Sequence, residues 1–437
     1  MAPTHSPSRR AVLGSAGTLL GLVSFSGVVT AHDEDDDEDE EERDADDEEQ
    51  RRAENTTSRL HTAFDSRARY ADIGERIDDF EDIDEWVATS GSLDAETGTT
   101  YEGSQSARLA STTDDGGNIE IRREFDDLDL SGRTLSVAIR LESPDVEQLD
   151  AIVEDESGDE VVMGRRTIES DYGWFILDLG VTEENGDPDL ENVAEIRIQL
   201  NQDNGRPISL LLDDLRATER GDGGYVLLTF DDTPESQYEK AFPVMRRYGF
   251  PGFAAINPDR VGDEESLSLA QLEDLQDAGW EIGSHTMDHR NLPELETSEA
   301  REQVATAKEW LLDNGFETGA DSFVYPWSSS DPLTRDVVSD YHYLAFTDGS
   351  NTHGQQLRGP LTVGRIFAEE RERVADALSL AAKYDQVVVL AYHEIGAGKW
   401  IDEAGFRDQM QLIAATEDLE VVTPSALLED VLTPPLL

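Results

Sequence analysis

The sequence predicts a multidomain chain in which a β-sandwich is followed by an α/β barrel, and three observations carry that expectation. At 437 residues the chain is well beyond one ordinary hydrophobic core, so two folded domains are expected. Across residues 73–219 short apolar stretches recur at strand spacing, with turn residues between them and no helical pattern. Across residues 222–432 strand-length apolar runs alternate with helical patterns, which signals a parallel sheet wound with helices.

Residues 1–31 read as an export signal. Ser8-Arg9-Arg10-Ala11-Val12-Leu13 leads into a weakly apolar run from Ala11 to Val29, and Val29-Thr30-Ala31 suits a signal peptidase. The arginine pair resembles a twin-arginine signal, which implies an extracellular or cell-surface protein exported in its folded state. Gly14, Gly17, Gly21 and Gly27 interrupt the run, which is only marginally long enough to span a bilayer. Cleavage is therefore expected over a retained anchor helix, with no stable membrane insertion afterwards. Residues 32–68 form an acidic linker, since nearly every residue from Asp33 to Glu49 is Asp or Glu. Such a like-charge block cannot bury surface or hold a helix against its own repulsion. The sequon Asn55-Thr56-Thr57 offers a glycosylation site in it.

The formal charge of −62 comes from 97 acidic against 35 basic residues, and Lys240, Lys308, Lys383 and Lys399 are the only lysines. That composition resembles a halophilic proteome, in which molar salt screens the mutual repulsion of surface carboxylates. Such a surface repels phosphate backbones, and no basic stripe interrupts it, so nucleic acid is excluded as a partner. The chain has no cysteine, so disulfides and thiolate metal sites are excluded and any metal must be held by His, Asp or Glu.

The sandwich rests on Ile119-Glu120-Ile121, Leu135–Ile139, Trp174–Leu177, Ile196–Leu200 and Ile208–Leu212, several of which alternate with period two. Phe80-Glu81-Asp82, Tyr101-Glu102-Gly103-Ser104 and Leu212-Asp213-Asp214-Leu215 resemble segments of jelly-roll carbohydrate-binding domains. The resemblance implies a structural Ca2+ ion with Asp214 among its ligands, against the alternative of a solvated acidic turn. Trp86 and Trp174 are either a sugar-stacking platform or core.

The barrel opens after the hinge Gly221–Gly224 with Tyr225–Phe230, a run apolar on both faces and so suited to a buried parallel strand. Asp231 and Asp232 follow at its carboxyl end, where barrel enzymes keep their chemistry. A second strand, Trp280–Gly283, leads into Ser284-His285-Thr286-Met287-Asp288-His289. On a helical turn, histidines four apart lie close enough to grip one cation. A third of the chain's eight histidines, His393, ends the run Val387–Tyr392.

The order Asp-Asp, His-x-x-x-His, Tyr325-Pro326-Trp327 and a late strand-end histidine resembles the polysaccharide deacetylase family, which includes the rhizobial chitooligosaccharide deacetylases. The resemblance spans residues 222–432 and implies a distorted (β/α) barrel. It makes Asp232, His285 and His289 ligands of a divalent metal, usually Zn2+, with Asp231 as general base and His393 as general acid. A backbone N–H in the Tyr325-Pro326-Trp327 turn, that of Trp327, would meet the oxyanion, and Tyr392 and Trp400 would line the sugar groove. Many members carry an arginine two residues before that proline, where this chain has Val324. Arg365 either brings a guanidinium to Asp231 instead or is a plain surface arginine, and the acidic residue that orients the late histidine has no clear counterpart, Asp348 being the nearest in order. The implied function is metal-dependent removal of acetyl groups from an extracellular polysaccharide or glycan. A hydrolase of a small non-peptide amide on the same fold, or a non-catalytic surface glycan-binding protein, are the alternatives.

Overall fold

The computed structural model describes residues 60–62, 72–201, 205–349, 352–396 and 398–432. The export signal, the Asn55 sequon and all of the acidic linker except 60–62 lie outside the described residues.

Alternating residues build the first part of the fold. Its strands in chain order are β1 (Glu75–Asp78), β2 (Val87–Ser90), β3 (Ser92–Glu96), β4 (Ser106–Ala110), β5 (Ile119–Leu128), β6 (Arg133–Ser143), β7 (Val146–Asp155), β8 (Glu160–Glu169), β9 (Phe175–Asp178), β10 (Gly180–Asn185), β11 (Val193–Leu200) and β12 (Ser209–Glu219). One six-stranded sheet runs β3-β4-β12-β6-β9 with β1 on β12, and the other runs β10-β8-β7-β11-β5-β2. All their pairings are antiparallel. In β11, Ile196, Ile198 and Leu200 turn into the core, while Arg197 points outward to Glu154 on the adjacent β7 and Glu160 on β8 beyond it.

Two sequence expectations resolve here. Trp86 is core: its ring is buried and its indole N–H donates to Asp78 Oδ2 at 2.7 Å. Asp214 is no cation ligand, which corrects the expected Ca2+ site. It sits at a bulge in β12, fully buried, and three guanidiniums already surround it. Arg76 Nε lies at 3.1 Å, Arg216 Nε at 2.8 Å, and Arg358 Nη2 bonds its other oxygen. A cation would have to displace three positive charges.

The second part is a closed ring of seven parallel strands: β13 (Gly224–Phe230), β14 (Phe253–Ile256), β15 (Glu281–Ser284), β16 (Ser322–Val324), β17 (Leu344–Asp348), β19 (Val363–Phe367) and β20 (Val387–Tyr392), which pairs back onto β13. The two-residue β18 (Thr352–His353) adds to β20 antiparallel, and β21 (Leu419–Val422) adds to β13 in parallel. Alternation sorts the side chains into two layers. Val226, Leu228 and Phe230 of β13 pack outward with Leu390 and Tyr392 of β20 against helices α1 (Phe242–Tyr248), α5 (Arg371–Tyr384) and α6 (Glu403–Ala415). Leu227 and Val389 fill the inside with Phe253 and Phe346. The intervening helices are α2 (Leu269–Asp277), α3 (Thr297–Asp313) and α4 (Pro332–Ser339), and Ser268 and Asp331 form capping boxes for α2 and α4.

Candidate active site

At the end of β13 the chain separates two adjacent carboxylates. Asp231 N–H still donates to Tyr392 O at 2.9 Å, so Asp231 stays in the sheet with its side chain buried. Asp232 (φ 72°) and Thr233 (φ 67°) are left-handed, a conformation that costs a non-glycine residue about 1–3 kcal/mol. That turn swings Asp232 outward, leaving its side chain 31% exposed at the rim. Thr233 Oγ1 accepts from Asn257 N–H at 2.8 Å and Gln237 Nε2 donates to Asp231 O at 2.7 Å, which holds the strained turn.

The two histidines meet in a loop, not on the helical turn that their spacing suggests. His285 continues β15 by donating its N–H to Ile256 O at 2.9 Å, and Thr286 and His289 are both left-handed at φ 65°. Asn257 Nδ2 donates to the carbonyls of His285 and Thr286, and His289 N–H caps onto Thr286 Oγ1 at 3.0 Å. The result brings the donor atoms of Asp232, His285 and His289 within 4.8 Å of one another. His289 Nε2 is 3.1 Å from Asp232 Oδ1 and His285 Nε2 is 3.9 Å from it.

This donor set fits a divalent metal. His285 Nδ1 lies 2.8 Å from Val324 O, and a carbonyl can only accept, so the proton sits on Nδ1 and the Nε2 lone pair faces the cluster. Burial holds the His285 pKa below its ordinary value, and burial together with the His285 ring brings His289 down to about 4. Two neutral imidazoles and one carboxylate are a donor set that leaves coordination positions open. Arg260 Nη1, 3.3 Å from Asp232 Oδ1, is the cation nearest that carboxylate.

Behind these three side chains stands a buried ion pair. Arg365 Nη1 and Nη2 each donate to one oxygen of Asp231, both at 2.8 Å. Burial alone would raise the Asp231 pKa, but the charge and hydrogen bonds of Arg365 outweigh it and hold the carboxyl well below the usual carboxylate range. Arg365 takes the part for which Val324 has no side chain, and Val324 contributes its carbonyl to His285. Asp348, the nearest acidic residue in order to His393, instead accepts from Arg365 Nε at 3.1 Å. His393 Nε2 lies 3.8 Å from Asp231 Oδ2, and its ring stacks on Trp400 with centroids 4.0 Å apart and planes 7° from parallel.

The remaining residues divide. Trp327 (φ 60°, ψ 12°) is 72% exposed and lays its indole 5.1 Å from the His289 ring. Ser328 and Ser329 turn their N–H groups back to Tyr325 O and Pro326 O, so the turn is fixed by its own backbone. The side chains of Tyr325 and Pro326 are buried beneath it. Tyr392 is corrected: it lines no groove, because period two points it into the outer layer, where its O–H donates to Gln409 Oε1 at 2.9 Å. Arg260 escaped the sequence reading, as did the sandwich residue Tyr172, whose O–H donates to Ser328 O at 3.3 Å. No local motif marks either one.

Residues 218–346 match the family model for polysaccharide deacetylase. This segment is similar to polysaccharide deacetylase domains. The match takes in Asp231, Asp232, His285, His289 and the Trp327 turn, and ends before Arg365 and His393. The chain is 32% identical over 101 residues to YxkH of Bacillus subtilis, whose name places it among the polysaccharide deacetylases, covering 23% of this chain and 36% of that protein. It is 28% identical over 116 residues to the poly-β-1,6-N-acetyl-D-glucosamine N-deacetylase of Staphylococcus aureus, covering 23% of this chain and 40% of that one. The matches thus span well under half the length of these curated relatives. Among solved structures, a family 4 carbohydrate esterase from Streptomyces lividans in complex with acetate shares 15% identity at a TM-score of 0.34, over 46% of this chain and 92% of that one.

Proposed function

We propose that the deacetylase domain is a metal-dependent hydrolase that removes acetyl groups from an extracellular polysaccharide or glycan. The observation that carries this is the convergence of Asp232, His285 and His289 beside an Asp231 held ionised by Arg365. The Staphylococcus relative, named for N-deacetylation of a glucosamine polymer, supports a glycan amide as the bond cleaved.

Asp232, His285 and His289 would hold the metal, and Zn2+ suits their two nitrogens and one carboxylate. When bound, such an ion supplies a Lewis acid for the acyl oxygen and acidifies water. Asp231 acts as general base toward the attacking water, with the bidentate arginine fixing its direction. That pairing favours orientation at the expense of proton affinity, since a base works best with a pKa near the working pH. The Trp327 N–H is the group assigned to the oxygen that gains charge, and His393 delivers a proton to the departing amine. Acetate and a free amino group leave. The stack on Trp400 keeps the His393 ring in one plane for that transfer.

The sandwich, residues 73–219, serves in this proposal as the carbohydrate-binding part, and residues 222–432 as the catalytic domain exported by the twin-arginine route. Acetate release from N-acetylated oligosaccharides in molar salt, with and without a chelator, tests the reading. Release that is indifferent to chelation rejects the metal, and no release with any divalent ion rejects the hydrolase.

A further inference from the structure

One sandwich side chain reaches into the wall of the barrel. Arg165 in β8 is buried to 1% exposure, and its guanidinium leaves its own sheet. Nη1 donates to Thr362 O at 2.7 Å and Nη2 to Thr347 Oγ1 at 2.8 Å, while Nε donates to Thr167 O at 3.1 Å. All three acceptors are neutral, and Arg165 forms no ion pair with a carboxylate among the described residues. A guanidinium withdrawn from water with no carboxylate in direct contact, and only the more distant charges of Asp178 and Glu169 to balance it, is a costly arrangement for simple adhesion between two domains.

The acceptors are placed where they matter. Thr347 precedes Asp348 at the end of β17, and Thr362 leads directly into β19, which carries Arg365. The register pairs Thr347 with Gly364 and Asp348 with Arg365. Asp348 and Thr229 grip Arg365, and Arg365 grips Asp231. Further sandwich contacts fix the same two strands. Thr167 N–H donates to Gly349 O at 3.0 Å, and the buried Asp178 accepts from the N–H groups of Arg358 and Gly359 just before β19.

We propose that Arg165 is a positioning residue for Asp231, so that the sandwich is a working part of the hydrolytic centre as well as a module beside it. This rests on Asp231 as the base in the function proposed above. Arg165 pins the ends of β17 and β19 at a fixed separation, and that separation sets where Arg365 presents its two N–H groups. Without the pin, β17 and β19 keep their ladder but the guanidinium loses its aim, and the carboxylate loses its fixed direction.

The test uses the full chain with Arg165→Met and Arg165→Lys, and with Gln386→Leu as a control. Gln386 Oε1 accepts from Val181 N–H at 3.1 Å, a buried sandwich–barrel bond at the far end of β20 from His393. Rates on a short N-acetylated oligosaccharide, metal content and thermal midpoint are measured for each. Arg165→Met is expected to lower kcat on the order of tenfold to a hundredfold, as for a reacting group moved by a fraction of an ångström. KM and metal content stay near wild type, and Arg165→Lys recovers part of the rate. Gln386→Leu lowers the midpoint and leaves kcat alone. A wild-type kcat in Arg165→Met, or a loss no larger than its unfolded fraction, overturns the proposal. If the wild-type chain releases no acetate, the hydrolase reading fails separately. A crystal structure of Arg165→Met then decides the positioning role. An Arg365–Asp231 pair that keeps both bonds overturns it, and a pair that loses one or both supports it.

Discussion

Two buried aspartates in this molecule are both held by arginine, and they have opposite uses. Asp214 in the sandwich is enclosed by Arg76, Arg216 and Arg358, with no side open. Asp231 in the barrel is held by Arg365 from one side only, and its other side faces His285 and His393. The chemistry of the pairs is the same. A closed hub neutralises charge and fastens strands, whereas a one-sided clamp leaves a directed, charged oxygen facing a cluster of polar side chains. A buried ion pair alone thus says little about function, and the open side says more.

That contrast is broken most sharply at Asp231. Asp231→Asn keeps the shape and removes the charge, so acetate release is expected to fall on the order of a thousandfold while circular dichroism shows a folded chain. Asp214→Asn should do the reverse, because it leaves three guanidiniums partly uncompensated. Denaturant melts are expected to show a loss of about 3–5 kcal/mol, with metal content per folded molecule unchanged. Removing the metal should abolish turnover at neutral pH, with recovery on adding Zn2+. His289→Ala should prevent that recovery and show no bound metal by elemental analysis.

Titration separates the two sites further. A histidine whose folded pKa is depressed contributes stability that is complete above its unfolded value of about 6.5 and lost as pH falls toward the folded value. His289, held at about 4, and His285, also lowered, should therefore make the metal-free protein melt progressively lower from about pH 6.5 down to about 4. Asp231, depressed below the carboxylate range, adds stability that is present above about pH 4 and is lost only in stronger acid, so it contributes no slope in that window. Scanning calorimetry of metal-free wild type and His289→Gln, which should show a shallower decline, checks the sign. The smallest effect belongs to Arg76→Ala. This arm of the Asp214 hub is partly exposed, and its loss should cost no more than about 1 kcal/mol in the same denaturant melts.

Much of the site was legible in sequence because its signals are local. Asp231-Asp232 and His285–His289 each follow directly on an apolar strand run, and the barrel follows from the repeated alternation of such runs with helical patterns. Arg365 was reachable from an absence, since Val324 left the base without a partner. The Asp214 hub was hidden because Arg76 and Arg358 come from 138 and 144 residues away, and no local pattern announces such pairing. Arg165 was hidden for the same reason. Tyr392 was misplaced because Val387–Tyr392 is apolar throughout and shows no alternation. The parity was nevertheless available: a strand that brings His393 to the rim must turn its preceding residue to the other face.

The bond from His285 to Val324 is made by a main-chain carbonyl, an atom that every amino acid supplies. Position 324 can therefore exchange one apolar side chain for another without disturbing the aim of the imidazole. With the guanidinium housed on a different strand, steering His285 and partnering Asp231 are inherited separately, and either can be redesigned while the other stays intact.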